Sequence, residues 1–108
     1  MVSEYSYRFT EKATQDLDEI LHYITFEICS PQAAQNLAKK IFERIDTVRL
    51  FPESGALVVN EFVNNKSIRK IVVDNYIVYY TASNENKEIV IVRIVYAKRN
   101  LDEIMRSL

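Results

Sequence analysis

Apolar and polar residues alternate at the start of the chain. Tyr5, Tyr7 and Phe9 are separated by Ser6 and Arg8, and a period of two predicts a half-buried strand. Thr10 follows, with a hydroxyl suited to take an orphan amide of the next turn as a helix N-cap. The period then lengthens. Ala13, Leu17, Ile20, Leu21, Ile24 and Ile28 fall on one face at helical spacing, so an amphipathic helix is predicted over 11–28. Ser30 and Pro31 restart the chain, serine as N-cap and proline at the first helical position. Ala34, Leu37, Ala38, Ile41, Ile45 and Val48 repeat the stripe. The second helix ends near Leu50, because Pro52 disfavours helical geometry in the residue before it. Two long helices with a tight joint predict an antiparallel helical hairpin.

The second half returns to strand chemistry. Arg69 to Val73, Tyr76 to Ala82 and Ile89 to Tyr96 are rich in β-branched and aromatic residues, which pack well on a pleated surface. Asp74-Asn75 and Asn84-Glu85-Asn86 between them are short and polar, favouring hairpins and an antiparallel meander. The last two strands are apolar on both faces, so they are predicted to be central. Leu101, Ile104, Met105 and Leu108 have the spacing of a short C-terminal helix with one apolar side. The order is strand, helix, helix, three strands, short helix. It predicts an α+β domain over 1–108, with the hairpin packed on one face of a mostly antiparallel sheet and the other face open for binding. Only the stretch from Pro52 to Lys66 reads as a long connection.

Composition adds limits. A chain of 108 residues with 48% hydrophobic content and one glycine holds one core and little linker. No apolar run approaches the ~20 residues of a membrane span. No charged segment with an apolar run behind it heads the chain, so a leader is not expected and the cytoplasm is the expected compartment. Cys29 is alone, which excludes an intrachain disulfide and predicts a buried small hydrophobe. Net charge is −1, yet residues 1–65 carry six Lys/Arg against ten Asp/Glu while residues 66–108 carry eight against five. The C-terminal half is therefore the one that would steer toward an anionic partner.

Standard catalytic sets are missing. His22 is the single histidine, and it falls far around the first helix from the apolar stripe, where solvent is expected. No Cys/His pair fits zinc, no glycine-rich phosphate loop exists, and no metal or cofactor is implied. Asp16, Asp18 and Glu19 splay over different directions of the helix, so a solvated face is expected for them. The remaining candidates are Lys66, Arg69, Lys70, Arg93, Tyr96, Lys98 and Arg99. Arg93 interrupts the apolar run Ile89–Val95. A cation there must reach water, an anion or a carboxylate, and the open sheet face is favoured over a buried ion pair.

The joint order of several short motifs resembles the RelE/ParE toxins of bacterial type II toxin–antitoxin modules. The motifs are Asp16-Leu17-x-x-Ile20 with Tyr23-Ile24, Ser30-Pro31-x-Ala33-Ala34, Leu50-Phe51-Pro52 with Gly55, Arg69-x-Ile71-Val72-Val73 leading to Asn75-Tyr76-x-Val78-x-Tyr80, and Ile91-Val92-Arg93-Ile94 ending in Tyr96-x-Lys98-Arg99. The resemblance implies a toxin neutralised by a cognate antitoxin protein, as a homodimer or a toxin–antitoxin hetero-oligomer. It implies one of two targets. ParE-like toxins bind DNA gyrase and block it; RelE-like toxins cut mRNA in the ribosome. Ile77 stands where an arginine often follows the strand tyrosine in the nucleases, and Tyr96 where a histidine often stands, so gyrase is favoured. A member that binds antitoxin without toxicity is a third reading. Arg69, Lys70, Arg93, Lys98 and Arg99 are the expected target-binding residues, with Arg69, Arg93 and Arg99 on one surface. Arg69, Arg93, Tyr96 and Arg99 are catalytic if the protein is a nuclease. Phe26, predicted to be exposed on the first helix, is the expected antitoxin contact.

Overall fold

The structure, a computed structural model, describes residues 4–58, 68–99 and 101–106. The elements run β1 (Ser6–Phe9), α1 (Glu11–His22), a π-helical turn (Tyr23–Glu27), α2 (Pro31–Leu50), β2 (Ala56–Leu57), β3 (Ile68–Val73), β4 (Tyr76–Ser83), β5 (Glu88–Tyr96) and α3 (Leu101–Arg106). They form a five-stranded sheet ordered β1-β5-β4-β3-β2. All pairings are antiparallel except that of β1 with β5. The apolar strands β4 and β5 take the centre, as their two-sided pattern requires. The α+β architecture is the one the alternation of periods predicts.

Both helix starts use the expected caps. Thr10 Oγ1 accepts the Ala13 N–H at 3.1 Å, and Ser30 Oγ accepts that of Ala33 at 3.3 Å. The helical stripes, through Ala13, Leu17, Leu37, Ile41, Ile45 and Val48, bury against Ile71, Val73, Val78, Ile89 and Ile91. On the opposite face α3 presses Ile104 and Met105 onto Ile68, Ile77, Tyr79 and Val95. That face is therefore partly covered rather than open. The side chains of Leu101 and Leu108, and Lys66, lie outside the described residues. The connection after Pro52 contains β2, two residues paired with Arg69 and Lys70.

Helix one departs from the predicted span. The α-helix ends at His22, and Ile28 N–H bonds Tyr23 C=O at 3.1 Å across a π-turn. The wider turn adds a residue to the ring and shifts the phase of the residues beyond it. Ile28 leaves the predicted core stripe and is 55% exposed. Cys29 is likewise exposed, not buried. It takes φ 58°, the left-handed position that closes a helix and usually holds glycine. Its Sγ rests on Phe26 C=O at 3.4 Å.

A second phase shift lies in β5. Tyr79 pairs with Arg93 and Tyr80 with Ile91, so Val92 has no partner across the ladder. This β-bulge lets Ile91 and Ile94 both enter the helix-side core, which strict alternation forbids.

Because a side chain at Cys29 holds a conformation that costs an L-residue roughly 1–2 kcal/mol, Cys29→Gly is expected to raise stability by about 1 kcal/mol. Chemical denaturation of the two proteins measures it; an unchanged or lower midpoint would show that the Sγ contact outweighs the strain.

Candidate functional site

Arg93 and Asp16 are each 5% exposed. Arg93 Nε donates to Asp16 Oδ2 at 2.7 Å and Nη2 to Oδ1 at 3.2 Å, a bidentate fork. The Ile94 N–H adds a third bond to Oδ2 at 3.1 Å. β1 pairs with β5 only as far as Ile91, so Asp16 takes an edge amide beyond the end of that strand. Thr10 closes the same corner, with its N–H on Ile91 C=O at 3.0 Å and its hydroxyl on Val92 C=O at 3.3 Å. The expectation of an open-face Arg93 is thus corrected, as is that of a solvated Asp16. A carboxylate and a guanidinium at this depth are tolerable only together. The spacing carried a signal for Asp16: it lies three residues after Ala13 and four before Ile20, beside the core stripe.

Arg69 is also structural. It lies level with Tyr80 across the β3–β4 ladder, and its Nη1 donates to the carbonyls of Gly55 at 2.8 Å and Glu53 at 3.2 Å. Tyr80 holds the same loop, donating to Pro52 C=O at 2.8 Å and accepting the Gly55 N–H at 2.9 Å. A Cβ at Gly55 would stand 2.6 Å from Tyr80 Oη and 2.8 Å from Lys70 C=O. Only glycine fits, which accounts for Gly55 beside Leu50-Phe51-Pro52. Arg69, Arg93 and Arg99 therefore do not share one surface.

The candidates the fold does bring together lie at the end of β5. Tyr96 is exposed, its ring 5.6 Å from that of Tyr76. Ala97 N–H bonds Asn75 C=O at 2.8 Å and Arg99 N–H bonds Tyr96 C=O at 3.0 Å, turning the chain so that Lys98 and Arg99 stand in solvent. Beside them a groove of about 520 Å³ runs between helix one and the ends of β4 and β5, with Glu19, Tyr23, Tyr76, Tyr96 and Arg99 on its walls. Lys70 is half-buried on β3, level with Tyr79. His22 is exposed, 4.6 Å from the ring of Phe26, which is 63% exposed as expected. Tyr23 and Tyr76 are members of this surface that residue-type reasoning misses, since a tyrosine on an amphipathic pattern reads as core. Among the described residues no His/Cys/Asp/Glu group could hold a metal ion, and no helix is long and apolar enough to cross a membrane.

A helical hairpin on one face of this sheet, a short helix on the other, and a tyrosine-and-cation surface at the end of the last strand define a RelE/ParE-like toxin fold. The chain belongs to the family described as the ParE toxin of the type II toxin–antitoxin system parDE, whose pattern matches residues 7–101. Among solved structures it is similar to the chromosomal ParDE toxin–antitoxin system of P. aeruginosa, with 26% identity, a TM-score of 0.66, and 88% of this chain and 98% of that one covered. The archaeal RelE–RelB complex of Pyrococcus horikoshii aligns at 15% identity and TM-score 0.62 over 90% of this chain and 99% of that one. The isolated E. coli RelE toxin aligns at 18% and 0.55 over 96% and 99%. No curated sequence gives a significant match.

Two outcomes test the structural roles. Arg93→Ala is expected to cost about 3–5 kcal/mol by stranding Asp16. The Arg93→Leu/Asp16→Leu double variant should recover most of that loss, short of the roughly 1–3 kcal/mol of an unsatisfied Ile94 amide. Denaturant titration of the three proteins checks this. The second outcome concerns pH. Burial raises the phenols of Tyr76, Tyr79 and Tyr80 above the ordinary value of 10.0, with Tyr96 and Tyr23 adding to the shift at Tyr76 and the Gly55 N–H and Arg69 opposing it at Tyr80. The unfolded chain ionises first, so the stability from these groups is present below pH 10.0 and is lost as pH rises through the folded values. Thermal melts across alkaline pH, with tyrosinate absorbance in parallel, track the loss.

Proposed function

We propose that this toxin acts by binding DNA gyrase and blocking it, rather than by cutting mRNA in the ribosome. The observation that carries the reading is the use of the strand arginines. RNA cleavage needs groups that activate the 2′-hydroxyl, hold phosphate charge and protonate the leaving oxygen. Of the four residues that would form such a site, Arg93 is buried on Asp16 and Arg69 is spent on loop carbonyls. Tyr96 and Arg99 alone of the four stand exposed at the end of β5. A net charge of −1 also suits a protein target better than the dense phosphate of a ribosome. Membership of the ParE family and the ParDE likeness support the same reading. The toxin works in the cytoplasm, where gyrase is, and is neutralised in a hetero-oligomer with its antitoxin. Lys98 and Arg99, with Tyr96 between them and the sheet, are the contacts to the target.

Purified toxin should inhibit gyrase supercoiling of relaxed plasmid in a dose-dependent way and leave mRNA ends unchanged in a translation reaction. Lys98→Ala with Arg99→Ala should abolish inhibition at an unchanged melting temperature. New mRNA ends with supercoiling intact would reverse the assignment in favour of the nuclease.

A further inference from the structure

The groove at the end of β5 carries more than the cations beside it. Three tyrosines stand on its walls, Tyr23 from the π-turn, Tyr76 from the start of β4 and Tyr96 from the end of β5. The rings of Tyr76 and Tyr96 are 5.6 Å apart and inclined at 60°. The Tyr76 phenol is raised above its ordinary value first by burial, then by Tyr96 and Tyr23, so the three phenols converge on one space. Among the described residues no cation lies over any of these three rings; the cation–π pairs are Arg49 on Tyr7 and Lys87 on Tyr5. Two carboxylates also line the groove. Asp16 is spent on Arg93 and the Ile94 amide. Glu19 is exposed and makes no ion pair among the described residues. Aromatic rings beside an unpaired carboxylate attract a cation, and the aliphatic lining from Ile20 and Ile28 suits its methylene stem. Arg99, on the same walls, repels a run of cations and limits the complement to one. A guanidinium is favoured over an ammonium, since its plane stacks on a ring while its edge forks to a carboxylate.

We propose that the groove seats a single arginine side chain of the protein target, its guanidinium among Tyr23, Tyr76 and Tyr96 with Glu19 as counter-ion. The proposal rests on the end of β5 being the target-binding surface, and it names the group that surface recognises. Tyr23, Tyr76 and Glu19 then join Tyr96, Lys98 and Arg99 as contacts to the target.

The test titrates N-acetyl-arginine methylamide into the full chain and follows amide and tyrosine-ring shifts. The citrulline analogue, of the same shape and without charge, is the control, and the lysine analogue is compared. The arginine compound should bind at millimolar concentration and move Glu19, Tyr23, Tyr76 and Tyr96. The lysine compound should bind more weakly and the citrulline compound should not bind. Glu19→Gln and Tyr23→Leu should each weaken arginine binding by roughly two- to fivefold. Both side chains are exposed, so the melting temperature should hold, and the comparison of compounds on the unsubstituted protein stands without the variants. In supercoiling assays each variant should need a roughly two- to fivefold higher concentration for half-inhibition. An unsubstituted toxin that leaves gyrase untouched sinks the gyrase reading, while the titration still decides what the groove selects. Equal shifts from the arginine and citrulline compounds, tighter binding of the lysine compound, shifts confined to other surfaces, or variants that inhibit gyrase as well as the parent would overturn the proposal.

Discussion

The carboxylate of Asp16, held by Arg93 and by the Ile94 amide, ties the helical layer to the sheet at the corner where β1 runs out. Each of the surrounding features is arranged around that corner. β1 covers β5 only to Ile91, leaving an edge amide that needs an acceptor. Helix one begins immediately after β1, because Thr10 caps it, and Asp16 falls one and a half turns further on, over the vacant edge. The bulge at Val92 brings Arg93 out of the alternation just where the carboxylate arrives. A buried pair of this kind contributes little net stability compared with apolar packing. Its role is one of position: either partner alone would be expelled, so helix and strand are held in a single register.

Two inserted residues shape the surface. The π-turn and the β-bulge each add one residue to a regular ladder, and each re-aims the side chains beyond it. The bulge sends Ile94 inward. The π-turn sends Ile28 outward beside Tyr23. A regular helix and a regular strand from the same residues would have buried Ile28 and lost the packing of Ile94 under the helices. Cys29, in a left-handed conformation, is the local cost of ending the π-turn in time for the Ser30 cap.

The cations of the C-terminal half divide by what they hold. Arg93 holds a carboxylate and Arg69 holds the carbonyls of the loop that Tyr80 and Gly55 also close. Lys98 and Arg99, near the end of β5, are offered outward beside Tyr76 and Tyr96. Charge counts along the chain do not separate these groups, since a guanidinium serves a buried carboxylate, a backbone carbonyl or a partner's acid with the same donors. The acidic half is divided too, with Asp16 inside and Asp18, Glu19 and Glu27 at the rim of the exposed turn.

Much of the architecture is legible in the sequence. The change from a period of two to a helical period and back locates β1, both helices and the three long strands, because burial of one face imposes that period on neighbouring residues. Thr10, Ser30 and Pro31 mark the helix starts for equally local reasons, and the two-sided apolar runs place β4 and β5 at the centre. The tertiary structure decides what local pattern does not encode. One extra residue in a helix or strand ladder leaves no distinctive side chain behind, so the pattern predicts burial for Ile28 and Cys29, and both are exposed. The parallel seat of β1 beside β5 depends on which edge remains vacant after the meander forms. A charge is buried or exposed according to what arrives beside it, and Arg93 reaches Asp16 from 77 residues away along the chain.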